Sequence, residues 1–252
     1  MIEIMISDQE YLKKNNLNLS AEVLERRKFR QALQDLHRAE FMLGQALKFC
    51  KKDKEAIDVG ASIGLYAAAF AEESKLVHCF EAIPFVHDQR LKLLQYRYPN
   101  ILTYNYAVCE EEGEKEFWLD TKKLGNNSFH NIVDGEKIKV KTTYLDKFNF
   151  SNIGFIKIDV EGHELSVLKG ARSLIDKERP VLMVEIYPVF NYGPIENTFR
   201  YILEEVGNYK CFYNYRAKGL IPIDSVEHGV EVANSDITIH DGDFLFVPGE
   251  LN

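Results

Sequence analysis

Four carboxylates stand in or just after short apolar runs: Asp58 in Ala56-Ile57-Asp58-Val59, Glu81 after Leu76-Val77-His78-Cys79-Phe80, Asp159 after Phe155-Ile156-Lys157-Ile158, and Glu185 after Val181-Leu182-Met183-Val184. Runs of this length, rich in β-branched residues, suit strands covered on both faces. Acids so placed gather at the carboxyl edge of a parallel sheet, where ligands of open α/β folds bind. There they can neutralise a cation, accept from ribose hydroxyls, take a proton from a nucleophile, or hold a divalent metal.

The first of these runs continues through Gly60-Ala61-Ser62-Ile63-Gly64 into Leu65-Tyr66-Ala67-Ala68-Ala69-Phe70, a strand, a glycine turn and the start of a helix. Gly60 lets the chain turn, and Ser62 is expected to cap the helix. Backbone N–H groups then face the strand's carboxyl end. A dinucleotide site would need G-x-G-x-x-G, so that a pyrophosphate could lie on bare backbone. This turn lacks the middle glycine and carries Asp58, which repels phosphate and favours a cation. S-adenosylmethionine, with an ammonium and a sulfonium and no phosphate, fits D-x-G-A-S-x-G better than NAD. A tight turn without a ligand is the plain alternative. Glu81 lies about twenty residues past Gly60, the separation at which an acid meets a ribose in strand–helix–strand folds; a surface acid at a strand end is its plain alternative. Asp58, Gly60, Ala61, Gly64, Glu81, Ala82, Asn105, Ala107 and Asp159 are therefore the candidate cofactor residues, with Asn105 and Ala107 at the adenine or ribose edge.

Asp159, His163 and Glu185 are the candidate general bases, with His130 as an outsider. The unperturbed imidazole titrates in the useful range, although His163 at a helix start also suits a surface. Asp159 can instead bind a cofactor ammonium. Asp159, Glu161 and Glu185 could also converge on a divalent cation that lowers a hydroxyl's pKa. Hydrogen bonding at helix starts, which favours acids there anyway, is the plain alternative.

These residues need a scaffold that alternates strands and helices. At 252 residues, 46% hydrophobic and 12% aromatic, the chain has material for one large core. Its charge of −8 disfavours nucleic acid. No apolar run is long enough to span a membrane, and the start has no secretory pattern. Cys50, Cys79, Cys109 and Cys211 form no C-x-x-C pair, so a reducing cytoplasm is expected. The pattern predicts a three-layer α/β domain over 53–252 with a seven-stranded, mostly parallel sheet. Ile101–Val108 reads as its third strand and 221–241 as polar loop. An insertion of about 113–143 holds two strands around a loop at 125–131 that could act as a lid. Residues 1–52 form an N-terminal helical extension, whose amphipathic 20–50 stretch could cap the sheet, cover a substrate or pair two subunits in a homodimer.

Residues 156–171, I-K-I-D-V-E-G-H-E-L-S-V-L-K-G-A, resemble the signature of FkbM-type methyltransferases. A-I-D-V-G-A-S-I-G-L-Y, the Phe80-Glu81 strand end, T-T-Y-L-D at 142–146 and P-V-L-M-V-E-I-Y occur in matching order, so the resemblance covers about 55–190. It implies a class I, Rossmann-like methyltransferase fold, S-adenosylmethionine as donor, and O-methylation of a sugar hydroxyl, either nucleotide-linked or in a surface glycan. Methylation of a natural-product or lipid hydroxyl, or a cofactor-binding module without catalysis, are the alternatives. Carried across, Asp58, Gly60 and Gly64 would face the methionine part, Glu81 the ribose, and Asn105 with Ala107 the adenine. Asp159, Glu161 and Glu185 would lie near the methyl group and acceptor.

Overall fold

The structure, a computed structural model, describes residues 41–119, 136–188, 193–215, 219–235 and 242–251. The chain divides into two compact units, 1–40 and 41–252. The first unit lies outside the described residues, as do the 125–131 loop and His130. Of the expected 20–50 helix, α1 (Phe41–Ala46) is described, with Met42, Leu43 and Ala46 buried.

The second unit is built on eight strands in the order β10-β9-β11-β8-β7-β1-β2-β3. The strands are β1 (Glu55–Val59), β2 (Leu76–Phe80), β3 (Ile101–Tyr104), β7 (Ile153–Ile158), β8 (Val181–Glu185), β9 (Tyr209–Tyr215), β10 (Gly219–Ile223) and β11 (Asp243–Pro248). The five from β8 to β3 are mutually parallel, and β11 runs antiparallel between β8 and β9. The eighth strand, β10, corrects the expectation of seven. It begins just before the stretch read as loop and takes its first three residues, because Leu220, Ile221 and Ile223 pair with β9 despite Pro222, which an edge strand tolerates. Helix α7 (Val226–Ala233) follows, its first turn capped by the Ser225 hydroxyl, which accepts from the His228 N–H.

Alternation along the strands sorts side chains to two faces. Ile57, Val59, Ile156, Ile158, Leu182, Val184, Phe244 and Phe246 pack on one side. They meet α4 (Glu164–Lys169) and α5 (Arg172–Glu178) through Val167, Leu168, Leu174 and Ile175, and α7 through Val226 and Val232. The same layer takes Phe199 of α6 (Glu196–Arg200) and Ile202 of the π-helical turn Tyr201–Val206. On the opposite side Phe70 of α2 (Leu65–Glu73) meets Phe155, ring centroids 5.2 Å apart. Asp58 and Lys157, partners across β1 and β7, alternate onto that second side.

The expected third strand is broken. Ile101–Tyr104 stays in the main sheet, while Ala107–Val108 becomes β4 of a second sheet. There β6 (Glu136–Thr143) lies between β4 and β5 (Gly113–Leu119). The predicted insertion is therefore a separate three-stranded sheet that borrows the end of the third strand. Among the described residues no helix is long and apolar enough to cross a membrane.

Candidate active site

A cavity opens at the carboxyl ends of β1, β2 and β7, where parallel strands direct their following loops outward. Its wall includes Gly60 and Ser62 after β1, Glu81 and Ile83 after β2, Ala107 on β4, Phe117 on β5, and Asp159 and Glu161 after β7. In that lining Ile83, Val86, Ala107 and Phe117 pack together as one apolar cluster, with Val140 behind them. The same lining holds the carboxylates Glu81, Asp159 and Glu161, and among its described residues no lysine or arginine.

Gly60 and Glu81 shape the turn. Gly60 has φ +82°, and a Cβ there would lie 1.8 Å from the Asp159 carbonyl oxygen, so the β1 turn can close on β7 only with glycine. Glu81 is 6% exposed and uses both oxygens: the Ser62 N–H donates to Oε2 and the Ile83 N–H to Oε1, each at 2.8 Å. Burial pushes its pKa up to about 7, and the two amides pull the other way.

Other expected residues are placed away from the cavity. Gly64 has φ +83°, and a Cβ there would strike Leu94 Cδ1 at 2.1 Å; its bareness serves packing beneath the turn. Gly64 itself occupies the N-cap of α2, and no side chain caps that helix, so Ser62 contributes its amide to Glu81 and not its hydroxyl to a cap. Ala61 is buried and lies outside the lining. Asn105 sits at the break between β3 and β4, where its amide donates to the Glu81 carbonyl at 2.8 Å and the Ala82 carbonyl at 3.2 Å. It fastens the loop that carries Glu81, whereas Ala82 and Ala107 do line the cavity. Asp58 is fully buried and outside the lining, 3.9 Å from Lys157 Nζ; burial raises its pKa to about 6, against the pull of the Lys157 charge. His163 begins α4 half-buried and outside the lining.

Three of the expected acids converge. Asp159, Glu161 and Glu185 offer oxygens within 4.8 Å of one another. β7 and β8 are neighbours, which brings Glu185 to Asp159, and Glu161 enters through a left-handed residue with φ +52°. Burial first, then the Asp159 and Glu164 charges, raise the Glu161 pKa to about 8. Burial, Asp159 and Asp243 drive Glu185 well above its usual range. The Lys157 ammonium donates to Asp159 Oδ2 at 2.7 Å. Burial opposes the lysine's charge, but Asp159 and Asp58 more than offset this and keep it protonated.

Sequence reasoning passed over three residues. Lys157 reads as a lone cation inside Phe155-Ile156-Lys157-Ile158-Asp159; its two-residue step to Asp159, placing both on one strand face, was the available signal. Glu164 is 1% exposed and its Oε1 accepts from the Val160 and Gly162 amides, folding the loop that carries Glu161. Phe117 enters from the second sheet, and nothing local signals that approach.

The fold, with its cavity at the parallel sheet's carboxyl edge, defines a Rossmann-like, class I methyltransferase architecture. A methyltransferase FkbM from Methylobacillus flagellatus superposes with a TM-score of 0.52 at 19% identity, over 78% of this chain and 44% of that one. The methyltransferase FkbM domain matches residues 58–216, and the chain belongs to that family. The hexuronic acid methyltransferase AglP of Haloferax volcanii is 25% identical over 159 residues, 62% of this chain and 65% of the relative. The chain thus spans slightly under two thirds of that relative's length and less than half of the FkbM structure's. A lining that joins three carboxylates to an apolar cluster suits a ligand that carries both an aromatic base and cationic centres.

Proposed function

We propose that this protein transfers a methyl group from S-adenosylmethionine to a sugar hydroxyl. The observation that carries the reading is the mixed lining: an apolar cluster of Ile83, Val86, Ala107 and Phe117 in one cavity with the carboxylates Glu81, Asp159 and Glu161. The adenine takes the apolar cluster, the ribose hydroxyls reach Glu81, and the methionine ammonium and sulfonium lie toward Asp159. The similarity to a hexuronic acid methyltransferase supports a sugar acceptor, free, nucleotide-linked or in a glycan.

Methyl transfer from a sulfonium is an in-line displacement: the acceptor oxygen forms a bond to carbon as the S–CH3 bond breaks, and the hydroxyl proton must leave. Alignment of the reacting atoms accounts for about 7–11 kcal/mol in well-oriented cases. A positioned base adds roughly 10²–10⁴-fold. Glu185, held beside Asp159 and Glu161, is the base this geometry favours once ionised. Neither Glu185 nor His163 belongs to the lining, and His163, which has no place in the carboxylate cluster, is the weaker candidate.

A second reading rests on the convergence of Asp159, Glu161 and Glu185. A divalent cation there would orient the acceptor and lower its pKa. Magnesium chloride titrated by calorimetry, against Glu185→Gln, tests it. Four free thiols, Cys50, Cys79, Cys109 and Cys211, support the cytoplasm as the compartment. The homodimer expected from the 20–50 pattern belongs to the same proposal and is read by light scattering.

The deciding experiment is calorimetric titration with S-adenosylmethionine and, separately, NAD, followed by labelled methyl transfer to uronic, neutral and nucleotide-linked sugars. Micromolar binding of the methyl donor alone, with label in one sugar class, is expected. Absence of methyl-donor binding overturns the reading.

A further inference from the structure

Lys157 is the only buried lysine or arginine among the described residues. It does not line the cavity. Its ammonium sits among three groups from three elements. It donates to Asp159 Oδ2 at 2.7 Å, stands 3.9 Å from Asp58 Oδ1 on β1, and lies 4.5 Å from the Tyr66 ring centroid in the first turn of α2.

Such an arrangement is a poor device for stability. Replacing a buried ion pair with apolar residues of similar volume is often neutral or stabilising. What it supplies is placement. Asp58 and Lys157 are cross-strand partners, so the stem enters at a fixed register. Asp58 is fully buried, and its charge and the Tyr66 ring hold the ammonium from behind. Of the two carboxylates, only that of Asp159 reaches the cavity, its side chain 32% exposed.

We propose that Lys157 is a positioning residue that, braced by Asp58 and Tyr66, fixes the Asp159 carboxylate in the cavity wall so that it receives the methionine ammonium of S-adenosylmethionine. The inference rests on the reading that the methionine ammonium lies toward Asp159. It also gives Asp58 a task distinct from cofactor contact: it holds the ammonium that aims Asp159.

The test compares two ligands by calorimetry: S-adenosylmethionine, and 5′-methylthioadenosine, which has the adenosine but no amino-acid end. Lys157→Met is expected to weaken the first about tenfold or more, the low end of what a hydrogen bond to a charged group contributes, and the second less than about twofold. Asp159→Asn is expected to do the same, and Lys157→Met added to Asp159→Asn to cost nothing further, since coupled residues do not add. Lys157→Met leaves Asp58 buried and uncompensated. Should that variant not fold, Asp58→Asn/Lys157→Met removes both charges, and its binding of methylthioadenosine reports an intact site. Equal weakening of both ligands, unchanged S-adenosylmethionine affinity, or additive losses in the Asp159→Asn background would each overturn the role of Lys157. Full affinity in Asp159→Asn alone would instead overturn that placement of the ammonium, and this inference with it.

Discussion

Gly60 and Asp159 lie in van der Waals opposition across β1 and β7, with the Asp159 carbonyl oxygen in the space that any Cβ on residue 60 would fill. The obstacle is backbone, which cannot swing aside as a side chain would. Gly60→Ala should therefore combine left-handed strain with separation of the two central strands at the cavity. A loss of about 3 kcal/mol or more in urea unfolding is expected, together with loss of S-adenosylmethionine binding. At Gly64 the obstructing atoms are leucine side-chain ends, Leu94 Cδ1 and Leu91 Cδ1. Gly64→Ala should cost less, about 1–2 kcal/mol, and leave ligand affinity nearly intact. Equal losses in the two variants would refute this distinction.

Glu81 holds two amides with two oxygens. Glutamine offers only one acceptor oxygen, so Glu81→Gln should leave one buried N–H without its partner, costing about 1–3 kcal/mol. If the carboxylate also takes the ribose, S-adenosylmethionine and methylthioadenosine should weaken together, by about tenfold or more. A loss confined to one ligand would remove Glu81 from the ribose.

Acids held above their normal range make stability fall toward alkaline pH. Burial puts Glu81 and Glu164 each at about 7, against 4.5 for a free glutamate. Below the unfolded value both states are protonated and the contribution is complete. As pH rises from 4.5 toward 7, the unfolded chain releases protons that the folded chain retains, and stability declines. Unfolding free energy measured in urea should drop by a few kcal/mol between about pH 5 and pH 8, with a shallower slope in Glu164→Gln. A flat or rising profile would contradict it.

The same protons couple to the ligand. A cationic cofactor favours the ionised carboxylate, so its affinity should rise from about pH 6 to pH 8 and binding should release protons. Calorimetry in buffers of different ionisation heat measures that release directly, and Glu81→Gln should reduce it.

Phe117 reaches the cavity from β5, in the second sheet. Phe117→Ala should weaken methylthioadenosine and S-adenosylmethionine alike, by about tenfold, because both carry the adenine. Unchanged affinity for both would place the adenine elsewhere.

Much of this was legible along the chain. Ile57, Val59, Ile156 and Ile158 mark the central strands, and Glu81, Asp159 and Glu185 mark strand ends, because apolar runs closed by an acid leave few alternatives; Asp58, inside β1, faces Lys157 instead of the cavity. What could not be read was direction in space. Gly60 and Gly64 look equivalent in sequence, yet one faces backbone and cavity and the other Leu91 and Leu94, some thirty residues on. Asn105 is the right residue type at the right strand, but the chain leaves the sheet there and turns its amide toward the Glu81 carbonyl. β10 was hidden by Pro222 and by polar neighbours, since an edge strand needs only one partner. Phe117 depends on a sheet-to-sheet approach that no local pattern encodes.

The split of residues 101–108 between two sheets sets up a seam. Ile101–Tyr104 pairs in the main sheet, while Ala107 and Val108 pair with β6. Across that seam Ile83 and Val86 already meet Phe117 and Val140. A cofactor bound there would act as mortar, adding contacts to a joint made of a few apolar side chains. Hydrogen exchange in β5 and β6 is then expected to slow on cofactor binding more than in the central strands, whose exchange the sheet already holds back.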